Sequence, residues 1–129
     1  MSDSQVKKIL IVDDDPDIVA YLEAFFKDNG FQTIFAVNGK ECYDKAVNEM
    51  PDLITLDVTM PEESGVRALR DLQENEKTAN IPIIMITGVT TEFKKFIHTR
   101  KQVKPPVAYF EKPIERDALL SKVKEVLGL

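Results

Sequence analysis

The side chains whose type and spacing could do chemistry sit directly after short apolar runs. Asp13, Asp14 and Asp15 follow Ile9-Leu10-Ile11-Val12, and Asp57 follows Leu53-Ile54-Thr55-Leu56. Thr87 and Gly88 follow the run Ile83 to Ile86, and Glu111, Lys112 and Pro113 follow the run Val107 to Phe110. Each has a plain reading when taken alone. Asp13 and Asp14 could be solvated loop acids, Asp57 a turn acid, Thr87 the end of its strand and Lys112 an ordinary surface lysine. Asp15, with Pro16 after it, reads as a helix cap rather than a ligand. It is the joint placement at the ends of successive apolar runs that points to a site. A carboxylate there could act as a nucleophile, and several together could hold a cation.

Grouping these acids has an energetic cost. Two carboxylates about 4 Å apart repel by on the order of 4 kcal/mol at an effective dielectric near 20. Asp13, Asp14 and Asp57 together therefore call for positive charge. Lys112 offsets part of it, and the remainder calls for a divalent metal. An all-oxygen donor set suits Mg²⁺, or Mn²⁺ in the same place. The single histidine, His98, and the single cysteine, Cys42, offer no zinc alternative.

The elements that must position these residues alternate along the chain. Five strands are expected, at Ile9 to Val12, Phe31 to Val37, Leu53 to Leu56, Ile83 to Ile86 and Val107 to Phe110. Continuous apolar, β-branched runs of this kind suit strands buried on both faces. Helical patterns lie between them. Ile18, Leu22, Phe25 and Phe26 share one face, with Gly30 ending that helix. Asn38 caps a second helix carrying Tyr43, Ala46, Val47 and Met50, which Pro51 stops. Val66, Leu69 and Leu72 mark a third. Phe93, Phe96 and Ile97 mark a fourth, capped by Thr90 or Thr91. Leu119, Leu120, Val123, Val126 and Leu127 mark the last. Strands alternating with helices imply a doubly wound parallel sheet covered on both faces. Ligands of such sheets bind beyond the carboxyl ends of the strands, where the polar residues above fall.

With 129 residues, the chain is expected to form one domain. One cysteine cannot form an internal disulfide, which fits a reducing cytoplasm, and Cys42 reads as a small buried apolar residue. No apolar run is long enough to span a bilayer, and residues 1–5 carry no basic leader, so no membrane role is expected. A net charge of −5 argues against direct DNA binding.

The motifs resemble the response-regulator receiver domain of two-component signalling. The resemblance rests on Ile9-Leu10-Ile11-Val12-Asp13-Asp14-Asp15, on Asp57-Val58-Thr59-Met60-Pro61-Glu62-Glu63-Ser64-Gly65, on Met85-Ile86-Thr87-Gly88 and on Tyr109-Phe110-Glu111-Lys112-Pro113. It implies an α/β fold of the flavodoxin-like (βα)5 type, a five-stranded parallel sheet in the order 2-1-3-4-5. Residues 1–129 would be a single receiver domain with no effector domain. Asp57 would accept the phosphoryl group. Asp14, a carboxylate oxygen of Asp57 and the backbone carbonyl of Thr59 would bind Mg²⁺, with Asp13 acting through a bound water. Thr87 and Lys112 would contact the phosphoryl oxygens, and the Lys112–Pro113 peptide would be cis. Thr87 and Tyr109 would carry the switch, while Thr59 and Val89 would flank the path of attacking water.

The same resemblance implies a signalling switch rather than an enzyme, promoting only its own phosphorylation and aspartyl-phosphate hydrolysis. The phosphoryl donor would be a sensor histidine kinase or a histidine phosphotransfer protein. The output would pass to a downstream protein target or to a missing effector domain. Other readings exist. A phosphorylation-independent pseudo-receiver commonly lacks part of the acidic pair, the acceptor or the lysine, all present here. A haloacid-dehalogenase-like phosphotransferase wants a second acid where Thr59 stands. A flavin carrier wants a first loop rich in Ser, Thr and Gly, where Asp13, Asp14 and Asp15 would repel phosphate.

The stretch 94–106 stands out. Lys94, Lys95, His98, Arg100, Lys101 and Lys104 make it basic in an acidic chain, and Pro105-Pro106 precede the fifth strand. It reads as a solvated helix face, or more sharply as a docking surface for an acidic partner or a nucleic acid. His98 reads as an ordinary surface residue.

Overall fold

The computed structural model describes residues 6–57, 64–87, 107–111 and 114–129. The order is β1 (Lys8–Val12), α1 (Pro16–Asp28), β2 (Gln32–Ala36), α2 (Gly39–Glu49), β3 (Leu53–Asp57), α3 (Ser64–Glu74), β4 (Ile83–Thr87), β5 (Ala108–Glu111) and α4 (Arg116–Leu127). The strands form one sheet in the order β2-β1-β3-β4-β5. Every pairing is parallel. This is the flavodoxin-like doubly wound sheet expected. The helix expected around Phe93, Phe96 and Ile97, its cap at Thr90 or Thr91, and the basic stretch with Pro105-Pro106 lie outside the described residues.

Register sorts the apolar side chains into lateral rows. Ala36, Val12, Leu56, Met85 and Tyr109 stand level across the five strands and pack on one face, against α2 and α3. Leu10 and Ile54 make a parallel row on that face, meeting Ala46, Leu69 and Leu72. Ile9, Ile11, Leu53, Ile84 and Ile86 point to the other face, where α1 and α4 contribute Val19, Leu22, Phe26, Leu119 and Val123. Alternation within each strand thus feeds two cores, and each fully buried aliphatic contributes roughly 1.5–3 kcal/mol.

The helix ends follow their local chemistry. Asp15 caps α1, its side chain accepting the Asp17 N–H at 2.9 Å, with Pro16 at the first position. Gly30, at φ 91°, takes the left-handed turn after α1 that a side chain would resist. Asn38 caps α2 by accepting the Glu41 N–H at 2.8 Å, and Glu41 Oε1 accepts the Val37 N–H at 3.1 Å. This reciprocal pair holds the β2–α2 corner.

Three details differ from the periodicity reading. Val19 is the residue of α1 that enters the core beside Leu22 and Phe26, while Ile18 and Phe25 are only partly buried. The neighbouring frame wins because α1 leans on β1 and β2 rather than directly over the last helix. Met50 is exposed and ends α2 in a left-handed conformation at φ 48°. Val107 lies before β5 and is exposed, although its N–H donates to the Ile83 carbonyl.

Cys42 is fully buried on the α2 face, and burial pushes its thiol up to about 12. A thiol this basic is almost entirely protonated at pH 8 and is enclosed as well. Iodoacetamide should leave Cys42 unmodified in the native protein and alkylate it fully in denaturant. Rapid native labelling, followed by mass spectrometry, would contradict the packing of α2.

Candidate functional site

The register that aligns the apolar rows also brings the acids together. Val12 is level with Leu56, so Asp13, the next residue, comes level with Asp57 at the end of β3. The Asp13 N–H donates to the Ala36 carbonyl at 3.1 Å, carrying the β1–β2 ladder one residue past the strand. Asp13 Oδ1 accepts the Asp15 N–H at 2.9 Å. This turn bends the chain from β1 into α1 and leaves Asp14 at its exposed tip. Sequence reasoning missed that bond, although Asp two residues before a cap is its usual signature.

One carboxylate oxygen from each of Asp13, Asp14 and Asp57 lies within 4.8 Å of the other two. Asp13 and Asp57 are buried, at 2% and 1% exposure, whereas Asp14 is open to solvent. At this spacing each ionised pair repels by at least about 3.5 kcal/mol at an effective dielectric near 20. Burial of two of the three removes the water that would otherwise screen them. The cluster therefore needs compensating positive charge. Its donors are all hard carboxylate oxygens, and one side opens to solvent through Asp14.

These donors fit a small divalent cation. Opposite ligands of an octahedral Mg²⁺ stand about 4.2 Å apart. A set spread over as much as 4.8 Å can surround one such ion if a member reaches it through water.

The other expected site residues fall as follows. Thr87 ends β4, level with Glu111 of β5. Tyr109 stands level with Met85 and packs on the α2–α3 face of the sheet. Burial raises its phenol above the ordinary value, which keeps the hydroxyl protonated at neutral pH. Thr59, Gly88, Val89, Lys112 and Pro113, and with them the expected cis peptide, lie outside the described residues. No described helix is long and apolar enough to cross a membrane.

An open parallel sheet with acids at the carboxyl ends of β1 and β3 defines an α/β protein of the doubly wound class. The chain belongs to the response regulator receiver domain family of two-component signalling, whose model matches residues 9–124. It is 33% identical over 121 residues to protein PilH of Pseudomonas aeruginosa, a match covering 94% of this chain and 98% of PilH. It is 34% identical over 121 residues to the alkaline phosphatase synthesis transcriptional regulatory protein PhoP of Bacillus subtilis. That match covers 94% of this chain but only 48% of PhoP. The fold matches the crystal structure of a CheY-like response regulator receiver domain protein from Methanospirillum hungatei JF-1. The TM-score is 0.83 at 29% identity, over 96% of this chain and 95% of that one.

The electrostatic reading has a direct consequence for stability. In metal-free buffer, Asp14→Asn should raise the melting temperature by a few degrees, because one of three like charges is removed from an exposed position. Mg²⁺ at ten times its dissociation constant should stabilise the unsubstituted protein by about 1.4 kcal/mol. That corresponds to about 5 °C for a domain of this length. The Asp14→Asn protein should lose most of that increment. Equal Mg²⁺ increments in the two proteins, measured by scanning calorimetry with and without chelator, would remove Asp14 from the cation-binding set.

Proposed function

We propose that this receiver domain is a phosphorylation-dependent switch in which Asp57 accepts a phosphoryl group. The observation that carries the reading is the position of Asp57. It is a buried carboxylate at the end of a central strand, with Asp13 and Asp14 beside it. A carboxylate so placed can attack phosphorus while its neighbours hold the charge-compensating cation. Asp14, Asp57 and the backbone carbonyl of Thr59 would hold Mg²⁺ or Mn²⁺, and Asp13 would act through a water. When bound, the cation offsets the negative charge gathered between the carboxylates and the incoming phosphoryl group.

The donor is a phosphohistidine on a sensor kinase or on a histidine phosphotransfer protein. One Asp57 oxygen forms a bond to phosphorus, the phosphorus–nitrogen bond breaks, and its electron pair returns to the imidazole. Phosphoryl transfer asks mainly for alignment and charge stabilisation. Thr87 donates a hydrogen bond to a phosphoryl oxygen and Lys112 supplies a fixed positive charge. Water later attacks the same phosphorus and releases inorganic phosphate, restoring the Asp57 carboxylate. The protein therefore acts as a switch and not as an enzyme with a separate substrate.

The phosphorylated state draws Thr87 toward Asp57, and Tyr109 follows from the neighbouring strand. Moving a 1:99 equilibrium to 99:1 takes about 5.5 kcal/mol of differential stabilisation. Charge-assisted hydrogen bonds to a phosphoryl dianion are of a size to supply much of this. Residues 1–129 act as one receiver unit in the cytoplasm, and the output passes to a protein target or to an effector domain.

Incubation with Mg²⁺ and acetyl phosphate should add a single phosphoryl group by intact mass, and Asp57→Asn should abolish it. No adduct on the unsubstituted protein, or an adduct that survives Asp57→Asn, would sink the proposal.

A further inference from the structure

On the outer side of α1, away from α4, the sheet leaves apolar surface uncovered. Phe35 is 40% exposed and Val37 39% exposed, although both lie on the sheet face that α1 packs against. They line a groove of about 440 Å³ whose other wall is Pro16, Val19 and Ala20 of α1. Among the described residues, the charged side chains lining this groove, Asp14 and Glu23, are acids. The Glu23 carboxylate is held in place by the Thr33 hydroxyl, which donates to Oε2 at 3.2 Å. A third acid, Glu41, accepts the Val37 N–H just beyond the groove.

The groove lies along edge strand β2, where another strand could in principle add. Lys45 opposes that. Its ammonium donates to the Phe35 carbonyl and lies 4.9 Å from the centre of the Phe35 ring. A lysine on the backbone of an edge strand blocks main-chain pairing by a newcomer. Among the described residues it makes no ion pair with Asp14 or Glu23. What the groove offers is an apolar floor with carboxylates at its rim, read through side chains.

We propose that this α1–β2 groove docks a short protein segment that alternates apolar and basic residues. The apolar side chains would sit on Val19, Phe35 and Val37, and an arginine or lysine would meet Glu23, with Asp14 adding to the field. Charge complementarity selects this partner. An acidic or uncharged segment of the same shape would gain only the apolar contact and would leave the rim acids unpaired. The surface shares Asp14 with the acidic cluster, but its apolar floor and Glu23 lie outside that cluster and the docking does not require phosphoryl transfer to Asp57.

The test uses a synthetic peptide alternating leucine and arginine, titrated into the isotopically labelled full chain with Mg²⁺ present. Amide shifts should concentrate at Ala20, Glu23, Phe35 and Val37. Glu23→Lys and Phe35→Ser should each weaken binding by about fivefold or more. Both should leave the rest of the amide spectrum unchanged, which separates lost binding from lost fold. Four results would overturn the proposal. One is equal binding of the citrulline or glutamate version of the peptide. A second is unchanged affinity in both variants. A third is shifts confined to Asp13, Asp14 and Asp57, which would mean cation attraction to the acidic cluster alone. The last is a mass that rises with concentration while the same amides shift without peptide, which would make the groove an interface between copies of this chain.

Discussion

Two buried carboxylates held side by side are the constraint to which the rest of the structure answers. Asp13 and Asp57 would separate if they could, since nothing in their mutual interaction favours closeness. They stay together because Val12 is level with Leu56, and Leu10 with Ile54, on a fully buried face. Sliding β1 past β3 by one residue would turn each of these apolar side chains to the wrong side. Losing these four burials, roughly 6–12 kcal/mol, costs more than a carboxylate repulsion of a few kcal/mol saves. Hydrophobic register thus keeps the two carboxylates together at one end of the sheet, where a cation or a newly bound group can act on them.

The same rows explain how the site reaches the far edge. Val12 and Leu56 directly precede the two buried acids, and their row continues through Met85 to Tyr109. A displacement at the acid end therefore meets β4 and β5 through side chains already in close packing. The opposite face has a different character. There Ile11, Ile84 and Ile86 are clamped between α1 and α4. Face by face, the α1–α4 side is tightly packed at its centre and open at its β2 edge, while the other side has a last row that ends on a half-buried aromatic.

Much of this was legible in the sequence because both sheet faces are buried. A strand covered on two sides needs a continuous apolar run, so Ile9 to Val12 and Leu53 to Leu56 stand out without any partner being known. The caps at Asp15 and Asn38 were equally readable, since they depend only on neighbours along the chain. The acids after β1 and β3 could be picked out as strand-end residues, but strand order came from family resemblance, because short apolar runs do not say which run lies beside which. The choice of Val19 over Ile18 was not legible. Both fit a helical stripe, and only the direction in which α1 leans decides between them. Phe35 misleads for a related reason: it has the pattern of a buried strand residue, and it is exposed because α1 leaves the edge strand partly uncovered.

That uncovered edge is where an acidic chain most needs control over what it touches. An exposed apolar strand edge invites pairing with any extended chain. Lys45 closes the main-chain route by occupying the Phe35 carbonyl, while Glu23 is fixed at the groove by Thr33. The two devices act in opposite senses on a visitor. The lysine rejects strand addition whatever the visitor's sequence, and the glutamate discriminates by charge. Because Asp14 borders both this groove and the acidic cluster, a cation held at either place lowers the negative potential felt at the other. The edge and the carboxylate site are therefore electrostatically linked through one exposed side chain, with no change of backbone required.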